Sequence, residues 1–154
     1  MILLADSMLG SLGRWLRLLG YDTVIARHER DAHLVRLARA EGRVILTRDR
    51  ELAARHGVQT LLIVSEELDK QLVQTVRDLA LPPAPPGSRC QHCNEHLQHA
   101  SHADTVGNVP PYVLETQESF SRCPACGRFY WRGTHWPDIR AKLVLIEASP
   151  RSNS

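Results

Sequence analysis

The chain has 154 residues, enough for one domain plus a module too small to build its own core, and its 43% hydrophobic content supports a real core. A net charge of +2 marks neither a basic tail nor a strong electrostatic footprint. No apolar run approaches the roughly 18 residues of a membrane span, and the apolar N-terminus carries Asp6 with no basic segment ahead of it. That pattern argues against a signal peptide, so the expectation is a cytoplasmic protein with no membrane partner.

Residues 1–5 are an apolar run that ends in Asp6. Such a run, bounded by turn residues, reads as a strand buried on both faces. In an open α/β sheet, ligands sit beyond the carboxyl ends of the strands, so Asp6 stands where active sites form. The plainer role for Asp6 is to cap the helix that follows. That helix is predicted over residues 7–19, stopped by Gly20, with Leu9, Leu12, Leu16 and Leu19 as its apolar stripe. Gly10, Gly13, Arg14 and Arg17 share another face. Each helical glycine costs about 1 kcal/mol against alanine, so a neighbouring element or a ligand should approach closely there. Arg14 and Arg17 are either placed for phosphates or simply solvated.

A second strand is predicted over residues 22–26, and a second helix opens at Asp31 and ends at Gly42. Residues 43–47 form the third strand, which again delivers an acid, Asp49, to its carboxyl end, followed by Glu51. A short helix reaches His56, a fourth strand covers 60–64, and Ser65 is read as the cap of a helix with Leu68, Leu72, Val76 and Leu79 on its buried side. Strands alternating with helices imply a parallel sheet with right-handed crossovers.

Four prolines in residues 82–86 predict a stiff spacer over 82–88. It divides a first domain, 1–81, from a module over 89–148, with residues 149–154 expected to be disordered. All four cysteines lie in that module, as Cys90-x-x-Cys93 and Cys123-x-x-Cys126. In a chain without a secretion signal, two such pairs predict a closed, structural tetrahedral Zn²⁺ site. Strands are expected near residues 112–115 and 128–131, and a helix from Trp136 or Pro137 to about Ala148. His92, His96, His99 and His102 crowd the insert between the pairs; they are either a second metal site or solvated.

The segments Leu4-Ala5-Asp6-x-Met8-Leu9-Gly10, Arg14-Trp15-Leu16-Arg17 and Leu46-Thr47-Arg48-Asp49, joined to the two cysteine pairs and Tyr130-Trp131-x-Gly133-x-His135-Trp136, resemble the Mut7-C ribonuclease-type domain. The resemblance covers nearly the whole chain. It implies an α/β, PIN-like parallel sheet flanked by helices with a C-terminal Cys₄ zinc ribbon. It also implies a metal-dependent ribonuclease in which Asp6, Asp31 and Asp49 hold catalytic Mg²⁺ or Mn²⁺ and Glu51 adds a further acid. Substrate RNA, single-stranded or structured, would meet Arg14, Arg17, Arg48, Trp131 and His135, with Tyr130 and Trp136 available for stacking. A non-catalytic RNA- or ribosome-associated zinc-binding protein is the alternative, and a toxin-like nuclease held by a protein inhibitor a third.

Overall fold

The computed structural model describes residues 1–133 and 136–150 of the chain. In order, the elements are β1 (Ile2–Ala5), a 3-10 turn (Ser7–Leu9), α1 (Gly10–Leu18), β2 (Thr23–Ile25), α2 (Asp31–Glu41), β3 (Arg43–Thr47), α3 (Arg50–Ala53), β4 (Thr60–Leu62) and α4 (Leu68–Asp78). The second half carries β5 (Gln98–Ala100), α5 (His102–Thr105), α6 (Pro111–Thr116), β6 (Phe120–Arg122), β7 (Phe129–Trp131) and α7 (Trp136–Ala148). No helix among the described residues is long and apolar enough to cross a membrane.

The first four strands form the expected parallel sheet, in the order β2-β1-β3-β4. The alternating side chains of β1 and β3 feed two cores, because successive residues of a strand point to opposite faces. Leu3, Ala5, Val44 and Leu46 face Leu12 and Leu16 of α1, Leu72 of α4 and Ile139 of α7. Leu4 and Ile45 face Leu34, Val35 and Ala38 of α2, with Leu52 of α3. The helices after β1 and β2 therefore cover opposite faces. The chain leaves β1 in one direction and returns past it in the other, so the topological switch point lies between β1 and β3.

Glycine positions fit these needs. A Cβ on Gly13 would come within 2.5 Å of Ile25 Cγ1 and 3.3 Å of Ala5 Cβ, so close packing of α1 on the sheet accounts for that glycine. Gly42 ends α2 at φ 70°, a left-handed residue as anticipated. The outer strand β4 is closed by Gln74, which accepts from the Val64 N–H and donates to the Leu62 carbonyl at 2.9 Å each. This occupies part of an edge that would otherwise invite pairing.

Several local expectations are corrected. Residues 112–115 are helical rather than extended, because Pro111 sits at the first position of α6, where its fixed φ and missing N–H suit a helix start. Ser65 does not cap α4; the cap position is Glu67, and the Ser65 hydroxyl accepts the Glu67 N–H in the preceding turn. The segment 82–88, read as a stiff spacer, is held against the first domain. Tyr21 Oη donates to the Pro82 carbonyl at 3.0 Å, the Gly87 N–H donates to the Leu18 carbonyl at 2.8 Å, and the Pro85 carbonyl lies against Gly20.

The remaining strands form an antiparallel sheet, β5-β6-β7, with a small core of Ala100, Val109, Val113 and Phe120. The expected strand over 128–131 is present as β7. Helix α7 does not belong to this second sheet. It packs on α4, buries Ile139 in the first core, and brings Lys142 to Asp69 and over the Trp15 ring.

Candidate functional site

Asp6 and Asp49 follow neighbouring parallel strands, beyond the carboxyl ends on either side of the switch point. Each is held by backbone that the adjoining helix start exposes. Asp6 Oδ1 accepts the Ser7 N–H at 2.6 Å, and Asp49 Oδ1 accepts the Glu51 and Leu52 N–H groups at 2.8 and 3.4 Å as the cap of α3. Between them stands Thr47, fully buried at the end of β3. Its hydroxyl donates to Asp6 Oδ2 at 2.8 Å and accepts the Asp49 N–H at 3.0 Å. One hydroxyl thus ties the two acids into a single unit and leaves Asp49 Oδ2 without a partner among the described residues.

Asp31 lies at the same edge of the sheet, beyond β2. It is not the cap of α2. Arg30 takes that position, and Asp31 is the first helical residue, half-buried, its side chain with no hydrogen bond or ion pair among the described residues. Glu51 is exposed in the first turn of α3. The loop leading to Asp31 contains His28 at φ 94°, a conformation non-glycine residues rarely take. Among the described residues, the four acids are not gathered into a group of three or more that could hold a metal ion.

The cysteines do form such a group. All four offer a sulfur within 4.8 Å of the others, and Cys90 and Cys126 are 3.7 Å apart. A tetrahedral ion with bonds of 2.3 Å to sulfur requires sulfurs about 3.8 Å apart, so this donor set fits Zn²⁺. The two knuckles have the same construction. The Asn94 N–H returns to the Cys90 carbonyl and the Gly127 N–H to the Cys123 carbonyl, both at 2.9 Å, with Asn94 at φ 68° and Gly127 at φ 76°. Crowding splits the thiols. The Cys93 thiol is pushed up to about 12 by its hydrogen bond with Cys126. Burial also works on Cys126, but the Arg128 N–H and the neighbouring thiols outweigh it and bring that thiol down to about 7. Tyr130 Oη lies 3.0 Å from Cys90 Sγ, and burial together with this bond raises its phenol.

The residues expected to meet substrate divide into two sets. Arg14 is exposed, bonded only to Ser11 Oγ at 3.3 Å, and folded back toward Gly10 and the start of α1. Arg17 is instead 8% exposed, donating Nε to the Thr23 carbonyl at 2.8 Å and Nη1 to the Gln91 carbonyl at 2.9 Å. Burial lowers its pKa against the opposing charges of Cys90, Cys93 and Asp22. It bolts the first knuckle to the sheet and has no fork left for a phosphate. Arg48 is likewise engaged, by the Ile63 and Val64 carbonyls and Glu66. Trp131 is 36% exposed beside Phe120, whereas Trp136 lies under Arg132 and against Gly87 and the first core. His135 lies outside the described residues.

The histidines of the insert form no metal cluster among the described residues. His102 bonds the Leu114 carbonyl and meets the Phe120 ring edge-on, and His96 lies 3.2 Å from Arg89. His92 is exposed; burial and the charges of Arg128, Arg14 and Arg17 lower its pKa. Two residues that flank the first cysteine pair in the family motif, and to which the sequence reading gave no role, join the halves. Asn94 donates to Asp22 Oδ1 at 2.7 Å and accepts the Thr23 N–H at 3.0 Å, while Arg89 reaches the Gly20 carbonyl.

Acids at the switch point of a parallel α/β sheet, with a four-cysteine ribbon docked at its side, define an α/β protein of the kind the sequence motifs anticipated. The chain matches the Mut7-C RNAse domain over residues 1–143 and belongs to that family, a ribonuclease-type domain. No curated protein and no solved structure matches it significantly.

Proposed function

We propose that this chain is a ribonuclease that hydrolyses RNA phosphodiester bonds with Mg²⁺ or Mn²⁺ at the carboxyl edge of its parallel sheet. The observation that carries this reading is the pairing of Asp6 and Asp49 through the Thr47 hydroxyl, at the switch point where such sheets bind ligands. The donor set is all oxygen, which suits hard cations. Asp6 and Asp49 would hold the ion, with Asp31 and Glu51 on the adjoining helix starts as further acids. A divalent cation bound there activates water and stabilises the charge that develops on the phosphate. Thr47 keeps the two carboxylates in register, and Arg14, one turn into α1 and exposed, can orient the RNA backbone. Zn²⁺ in the Cys₄ site is structural, since a closed thiolate site leaves no open position. Four free cysteines kept for a metal suit a reducing compartment, and the cytoplasm is the proposed location.

One rival is an RNA-binding protein that retains the fold without cleavage; it is favoured by the acids not being gathered into a group of three or more among the described residues. The test is incubation of purified zinc-loaded protein with mixed RNA and Mn²⁺, beside Asp49→Asn. Asparagine keeps the capping oxygen but removes the charge, so cleavage should fall by about two orders of magnitude or more while the fold persists. Equal degradation by both proteins would overturn the assignment.

A further inference from the structure

Between the first cysteine knuckle and β7 runs a groove of about 440 Å³, lined by Gln91, His92, Asn108, Arg128, Tyr130 and Trp131 among others. That volume falls within the range of small-ligand pockets. Arg128 and His92 are exposed at its wall, and neither side chain has a hydrogen bond or ion pair among the described residues. No carboxylate is among the residues that line the groove. A zinc–tetrathiolate centre would carry a charge of −2, of which Arg17, buried beside Cys90 and Cys93, offsets one unit. Basic groups held together without an acid call for an anion. Trp131 supplies a partly exposed indole beside them, lying so close to Gly133 that a Cβ there would meet Nε1 at 2.6 Å.

We propose that this groove is a second RNA-contacting site: it takes one unpaired base against Trp131 and the adjoining phosphate between His92 and Arg128. Arg14 lies back along α1 toward Gly10, on the way to Asp6. A strand seated in the groove therefore continues past Arg14 to the carboxyl edge of the parallel sheet. The class of substrate follows from the shape. Only a single strand can turn a base out of its stack onto an aromatic side chain, whereas a duplex offers backbone and grooves alone. The destination of the strand rests on the ribonuclease reading above; occupancy of the groove does not.

The experiment measures binding of a labelled 12-nucleotide oligouridylate to the zinc-loaded full chain, without added Mg²⁺ or Mn²⁺, across a salt series. Arg128→Ala should weaken binding about tenfold and reduce the salt slope by about 0.7, the contribution of one phosphate contact on a single strand. Arg128→Lys should recover part of the affinity. An unchanged affinity and slope in Arg128→Ala, or equal binding of a blunt duplex, would overturn the proposal. Tight, Arg128-dependent binding by a wild type that cleaves nothing with Mn²⁺ would support the groove and remove the nuclease reading. Full cleavage by Arg128→Ala with unaltered binding would do the reverse.

Discussion

Thr47 shows how much one buried hydroxyl can carry. It donates to one strand-end acid and accepts from the backbone of the other, with no exposure to water. Thr47→Val keeps the shape but strands both partners. We expect a loss of about 1–3 kcal/mol in denaturant unfolding, the usual cost of unsatisfied buried polar groups. RNA cleavage should fall with it, and Thr47→Ser should restore most of both. Wild-type stability and activity in the valine variant would mean the two acids are positioned independently. Arg17 and Arg14 make the companion point. They lie one turn apart on one helix face, yet one bolts the knuckle to β2 and the other faces solvent.

At the scale of elements, the contact of interest is the knuckle against the amino end of the sheet. Asp22 accepts from Arg43 Nη1 at 2.8 Å and from Asn94 Nδ2 at 2.7 Å. Burial pushes its carboxyl up, but these two bonds and the charges of Arg43 and Arg89 outweigh it and hold the group below its ordinary value of 3.8. A depressed folded-state pKa contributes stability that is present above the unfolded value and lost as pH falls through the folded one. Asp22→Asn should therefore destabilise the protein by about 1–2 kcal/mol at pH 7, the scale of hydrogen bonds to charged groups. That deficit should shrink as the pH is taken below about 4. Thermal unfolding of both proteins from pH 7 to pH 3 measures it. A deficit constant across the range would show that the charge of Asp22 contributes nothing.

For the whole molecule, the cysteine site and the two sheets are linked unequally. Strands β5, β6 and β7 have a small core and depend on the cysteine site, and metal binding to such a site is folding energy for the ribbon. Helix α7 follows them in the chain but buries Ile139 against α1 and α4. Cys126→Ser should therefore release zinc and expose the ribbon amides to rapid hydrogen exchange, while α7 and the parallel sheet stay protected. Exchange of α7 together with the ribbon would show that the chain beyond Gly87 opens as one unit.

The local signals on which this fold was legible are short-range ones. Apolar runs of four or five residues, glycine stops such as Gly20 and Gly42, and paired cysteines act within a few residues of themselves, so strands, helices and the cysteine cluster could be read along the chain. Asp6 and Asp49 were visible for the same reason, each being the residue beyond a buried run. Only the tertiary structure decided which strands are neighbours, and with that order the bridging role of Thr47 and the switch point between β1 and β3. It alone separated Arg14 from Arg17, Trp131 from Trp136, and α7 from the ribbon that precedes it. The partner of an arginine, a tryptophan or a helix face is chosen by packing across 40 to 80 residues of chain, as with Arg43 and Leu3 or Arg17 and Gln91. No local pattern records that choice, because the same side chain satisfies solvent and core equally well until the fold brings one of them to it.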